Sequence, residues 1–167
     1  MKFGQTIRKD ATGETLTMLV SEEGNGGDEY QLYEVQLPSR QSGPPLHYHV
    51  DFAETFTVNE GKLDIYLGKD QKHLLLQTGD NATAEIKQPH KFANHHDEPV
   101  IFTVQTKPPG GVVKAFQFAY GIANDGGGDA DGLSGNPIAR LVFIKRPRVI
   151  CREFRALCRA SYSIWQA

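Results

Sequence analysis

Cysteine is scarce in this chain, with only Cys151 and Cys158 among 167 residues. Two thiols cannot build a disulfide framework. On a helix they would stand about 10 Å apart along the axis, too far to bridge. Long apolar runs are missing too: none approaches the roughly 20 residues of a membrane span. The opening residues MKFGQTIRKD carry no apolar core of a signal peptide. These absences point away from a disulfide-stapled secreted scaffold and from a helical membrane protein. The expectation is a soluble, cytoplasmic protein with no transmembrane segment.

Excess charge of one sign is absent from the whole chain but present in its parts. The net charge is −2, yet residues 137–167 carry seven basic side chains (Arg140, Lys145, Arg146, Arg148, Arg152, Arg155, Arg159) against Glu153 alone. The first 136 residues hold the remaining 11 basic and 19 acidic groups. A tail of +6 therefore follows a body of −8, which implies two structural roles.

With 39% hydrophobic and 23% charged residues the chain is globular rather than disordered. Its length fits one domain able to bury roughly two-thirds of its unfolded surface. Residues 1–118 read as β: Thr15–Val20, Tyr30–Leu37, Thr55–Val58, Leu63–Leu67, His73–Leu76 and Val100–Lys107 are short runs rich in β-branched and aromatic residues. Turn residues separate them, among them Gly43-Pro44-Pro45, Asn59-Glu60-Gly61 and Gly79-Asp80-Asn81. Such spacing predicts a sandwich or barrel. Residues 124–132 read as a loop. Its aspartates do not fit a calcium-binding EF-hand frame, because Gly127 and Ile138 fall on ligand positions. Asn136 and Pro137 then cap a first helix, and a second is expected over Val149–Ser163. The predicted organisation is a barrel over 1–120, a Gly/Asp-rich loop over 121–136 and a basic helical tail over 137–167.

Chemistry concentrates in two segments. In a strand, residues two apart share a face, so His47 and His49 can aim two imidazoles at one point. Glu54 can add a carboxylate from the next strand, and His90 a third imidazole from a distant one. Three neutral nitrogens and one anionic oxygen suit a divalent transition metal, Fe, Mn, Ni, Cu or Zn. They leave one net positive charge for an anionic ligand or dioxygen. Phe56, Val58 and Phe92 share the parity of these ligands and are expected inside, where they could wall a substrate pocket. Gln36, Gln105 and Gln117 are candidate polar lining. His73, His95 and His96 are read as surface residues.

These segments resemble the two conserved motifs of the cupin superfamily. His47, His49, Glu54 and Gly61 meet every spacing of the first motif. Gly79, His90 and Asn94 keep the spacing of the second, but Glu85 and Lys87 stand where the family has Pro and Gly, so the loop before His90 is expected to differ in shape or to act as a polar site element. The resemblance covers about residues 30–107. It implies an all-β, antiparallel jelly-roll (double-stranded β-helix) barrel of six to eight strands, with a metal held by His47, His49, Glu54 and His90. Function inherits little from a fold that hosts many chemistries, but the complete ligand set and the apolar residues of matching parity point to a metal-dependent oxidoreductase of dioxygenase type acting on a small organic substrate, with Glu54, the only carboxylate ligand, as catalytic base. A metal-dependent sugar isomerase or epimerase and a non-catalytic small-molecule binder are the alternatives. The family commonly dimerises, so a homodimer is expected. The basic tail is read as packing on the acidic body or on a second subunit. Nothing in it resembles a nucleic-acid-binding motif.

Overall fold

The computed structural model describes residues 1–20, 30–126 and 149–151. The described residues form β1 (Thr6–Arg8), β2 (Thr15–Val20), β3 (Gln31–Leu37), β4 (Gln41–Ser42), β5 (His47–His49), β6 (Ala53–Glu60), β7 (Lys62–Leu67), β8 (Lys72–Gln77), β9 (Asn81–Ala84), β10 (His90–Asn94) and β11 (Val100–Lys107). Helix α1 (Val112–Asn124) and strand β12 (Val149–Cys151) complete them. One antiparallel sheet runs β1-β2-β3-β11-β6-β9 and the other β12-β5-β10-β7-β8, with β4 also paired to β10. The protein is thus a jelly roll. Its strand count exceeds the six to eight implied by the resemblance, because β1 and β2 extend one sheet and β4 and β12 are short pieces.

Alternation places the core. In β3, Tyr33, Val35 and Leu37 are buried while Leu32, Glu34 and Gln36 face out, and β11 repeats the pattern with Val100, Phe102 and Val104. Leu63, Ile65, Leu76 and Phe92 come in from the second sheet. Phe92 lies edge-on to Phe102 at 5.2 Å and tilted to Phe56 at 5.7 Å, so aromatic rings join the two sheets. Each fully buried side chain of this size contributes about 1.5–3 kcal/mol.

Gly61 carries the chain from β6 to β7 at φ +87°. A side chain there would place its Cβ 2.8 Å from the Pro99 carbonyl oxygen. Glycine meets both demands, since it adopts positive φ freely and has no Cβ.

The β reading to residue 118 ends early, because β11 stops at Lys107 and α1 follows. Val112, Val113, Phe116 and Tyr120 recur at helical spacing and turn inward, and Phe116 meets Tyr33 at 6.3 Å. Valine and phenylalanine have strand propensity, and packing overrides it here. The helix end is tied down by Asn124, whose Oδ1 accepts the Asp10 N–H at 2.9 Å and whose Nδ2 donates to the Arg8 carbonyl at 2.8 Å. The expected boundary at residue 120 therefore falls inside α1. The helix expected from Val149 is replaced over its first three residues by β12, which pairs with β5. Its remainder, the helix after Asn136 and most of the 124–132 loop lie outside the described residues. Among the described residues no helix is long and apolar enough to cross a membrane.

Candidate metal centre

The centre lies between the sheets. Strand β5 buries His47 and His49 while Tyr48 between them turns outward, and β10 brings in His90 directly opposite His47. Glu54 comes from β6 of the other sheet. Each of the four offers a ligand atom within 4.8 Å of all the others, and all four are buried. The spacing expectation is therefore met in space by residues up to 43 positions apart.

The hydrogen bonds around the rings fix what faces the centre. His47 Nδ1 donates to the Pro45 carbonyl at 2.8 Å, and His90 Nδ1 donates to the Gln88 carbonyl at 3.0 Å. A carbonyl can only accept, so both Nδ1 atoms carry hydrogen and the neutral rings present a lone pair at Nε2. His90 Nε2 lies 2.9 Å from Glu54 Oε2. His49 Nε2 is also 2.9 Å from Oε2, yet neither ring nitrogen of His49 has a hydrogen-bond partner. Its ring is held by stacking on Phe52 at 4.1 Å. Lone pairs crowded at this distance in a buried site repel unless a cation lies among them. Anchoring one imidazole nitrogen on a carbonyl and leaving the other bare is how proteins orient metal-binding histidines. The donor set fits a divalent transition metal.

Electrostatics agree. Burial, reinforced by the neighbouring His90 and His49, lowers His47 to about 3. Burial would raise Glu54, but in the metal-free centre its attraction to His49 and His90 outweighs that and holds the carboxyl well below its ordinary range, a stabilisation that a bound cation would supply in their place. The centre therefore presents a neutral His47 and an anionic Glu54 at neutral pH.

Tyr33 completes the surroundings, donating its hydroxyl to Glu54 Oε1 at 3.1 Å. Burial, then the Glu54 charge, raises its pKa well above the ordinary value, so it remains a donor. Sequence reasoning missed Tyr33, although its parity with Val35 and Leu37 marks it as inward-facing. The polar lining was also misplaced. Gln36 and Gln117 are exposed and Gln105 lies on the outward parity, whereas Gln31 and Thr106 are buried. Phe56, Val58 and Phe92 are in the core as expected.

Asn94 takes no part in the ligand set. It is fully buried, its Nδ2 donating to the carbonyls of Leu37, Pro38 and Glu98 while its Oδ1 accepts the His96 N–H. The loop before His90 keeps a tight shape despite its altered sequence, because Lys87 adopts φ +64° and its N–H bonds the His49 carbonyl at 2.7 Å. The other histidines stand apart. His73 and His96 approach the two oxygens of Asp64 at 2.7 and 3.2 Å on the outer face of the second sheet, and the His73 side chain is 49% exposed. Arg40 pairs with Asp97, and Lys91 lies over the Tyr66 ring.

A family model described as Cupin domain matches residues 33–106. No curated protein matches the chain. A sugar phosphate isomerase of the cupin superfamily from Silicibacter pomeroyi is 26% identical over 55% of this chain and 59% of its own, with a TM-score of 0.47. The match thus spans less than two-thirds of that protein. The polyketide cyclase RemF from Streptomyces resistomycificus is 21% identical over 56% and 64% of the two chains, with a TM-score of 0.49. An uncharacterized protein with a double-stranded β-helix domain from Klebsiella pneumoniae is 22% identical over 65% and 81%, with a TM-score of 0.47.

Proposed function

The chain is a small cupin-domain protein, and from that premise we propose that it binds one divalent transition metal through His47, His49, Glu54 and His90 and oxidises a small organic substrate in the manner of a dioxygenase. The observation that carries the metal reading is the bare, buried His49 ring beside a carboxylate oxygen 2.9 Å away, with the two other imidazoles locked in the tautomer that turns Nε2 inward. When bound, the ion supplies open coordination positions and, if redox-active, electrons. The residues do the rest. Three neutral imidazoles and one carboxylate leave a divalent ion one net positive charge, which favours an anionic or electron-rich ligand. Glu54 is the centre's only carboxylate and is the group placed to take a proton from a substrate, with Tyr33 steadying its other oxygen. Phe52, Phe56 and Phe92 keep bulk water away. The reading includes a cytoplasmic homodimer in which the basic tail meets the acidic body.

The test begins with elemental analysis of the purified protein. Fe(II)- and Cu(II)-loaded samples are then incubated in air with phenolic and diketone substrates. Oxygen uptake above that of Glu54→Ala is expected, and uptake equal to the variant refutes the oxidation. The second reading, an isomerase of a hydroxycarbonyl compound, draws on the buried hydroxyls of Tyr33 and Thr106. Turnover without oxygen on Zn(II) or Mn(II) would establish it instead. A monomer by light scattering removes the dimer.

A further inference from the structure

Glu54 belongs to a row with two further polar residues that the metal ligands do not use up. Directly opposed residues of neighbouring strands run Gln31, Thr106, Glu54 and Ala84 across the first sheet. Gln31 shares the inward parity of Tyr33 on β3, and Thr106 that of Val104 on β11. Opposed residues hold their Cβ atoms about 4.5–5.5 Å apart. Thr106 is thus the immediate neighbour of Glu54, and Gln31 stands one strand further on.

Both side chains are sealed from solvent, yet Gln31 Oε1 and Thr106 Oγ1 have no hydrogen-bond partner. An unsatisfied buried polar atom costs about 1–3 kcal/mol. The adjoining rows do not share this feature. One runs Tyr33, Val104, Phe56 and Ala82, with the Tyr33 hydroxyl already given to Glu54, and the next holds Val35, Phe102 and Val58. Glu14 Oε1, just before β2, and the Tyr120 hydroxyl on α1 form a separate pair. Among the described strand residues of this sheet, the free buried side-chain oxygens are therefore those of the row that holds Glu54. An apolar pair of the same shape would be more stable there, which makes the polar choice one for a ligand.

The atoms define that ligand's chemistry. Gln31 Oε1 accepts only, so its partner must donate. Thr106 Oγ1 both donates and accepts, which matches a hydroxyl. We propose that Gln31 and Thr106 form a hydroxyl-binding subsite beside Glu54, so that the substrate is a small hydroxylated carboxylate or hydroxycarbonyl compound whose hydroxyl lies one or two carbons from the group at the centre. This inference rests on the metal-centre reading above. Both residues are specificity determinants rather than ligands.

The experiment uses the full chain loaded with Co(II), whose visible bands report binding at the centre. Propionate and 3-hydroxypropionate are titrated in turn; they share the carboxylate and differ by one hydroxyl. The native protein is expected to bind 3-hydroxypropionate about tenfold tighter, as one hydrogen bond to an otherwise unpaired group implies. Thr106→Val and Gln31→Leu should each cut that preference to about threefold or less while the propionate affinity and the Co(II) spectrum stay unchanged. Thr106→Ser, which keeps the hydroxyl, should keep the preference. Equal affinities in the native protein, or a preference that survives both apolar variants, overturns the subsite and leaves a trapped water as the partner of these atoms. Failure of the bands to appear before any ligand is added overturns the metal centre, and the subsite with it.

Discussion

The burial of His47 has a measurable consequence for the metal-free protein. Its imidazole titrates at about 3 in the folded state against 6.5 for an ordinary histidine, chiefly because burial penalises the charged ring. Between these values the unfolded chain holds a proton that the folded chain does not, so stability rises with pH across that window. The stabilisation is fully present above the unfolded value and drains away as the pH falls toward the folded one. Lowering the pH from about 7.5 to about 5 should cost roughly 2 kcal/mol from this residue alone. For a chain of this size that is a fall of about 4–8 °C in Tm. Glu54 acts in the same direction but only around and below its unfolded value of 4.5, beneath both of these pH values. The assay is thermal unfolding of chelator-stripped protein at both pH values, beside His47→Gln, which removes the titrating ring. The native protein should lose about 2 kcal/mol more than the variant. The same pH dependence in both would refute the claim that His47 is held neutral by burial.

Two further outcomes follow from single residues. Asn94→Ala removes four hydrogen bonds from a fully buried site, and should cost roughly 2–4 kcal/mol in urea unfolding; a loss below about 0.5 kcal/mol would mean that the 95–99 turn holds itself. Lys87→Gly relieves a left-handed backbone at an exposed position, and should gain up to about 1 kcal/mol after the extra entropy of the unfolded glycine is charged; any loss would show that Lys87 is not strained.

Much of the barrel was legible in residue order because strand alternation is a local property. Thr15–Val20 and Val100–Lys107 coincide with β2 and β11, and the runs at residues 55, 63 and 73 lie inside β6, β7 and β8. Short strands escaped notice because two or three residues carry no periodic signal, as β1 and β4 show. Helix α1 was missed because its valines and phenylalanines suit a strand taken alone. The face made by Val112, Val113, Phe116 and Tyr120 gains its burial only from the sheet beside it. Lys87 stands where the family pattern has Gly and adopts the left-handed backbone that favours glycine, a conformation that its residue name does not announce.

By itself the sequence determined which residues could ligate a metal. Parity puts His47 and His49 on one face, and the motif spacing adds Glu54 and His90. It also determined the antiparallel β class, through alternating burial and regularly spaced turns. Tertiary structure decided what those residues present to one another: the carbonyls of Pro45 and Gln88 that set two tautomers, the hydroxyl of Tyr33 on Glu54, and the row that stands Thr106 and Gln31 beside it. The two tautomer-setting carbonyls lie only two residues before their histidines, but the contacts of Tyr33, Thr106 and Gln31 join strands distant along the chain. They depend on register and on the closure of one sheet over another, and neither is encoded in any short window of residues.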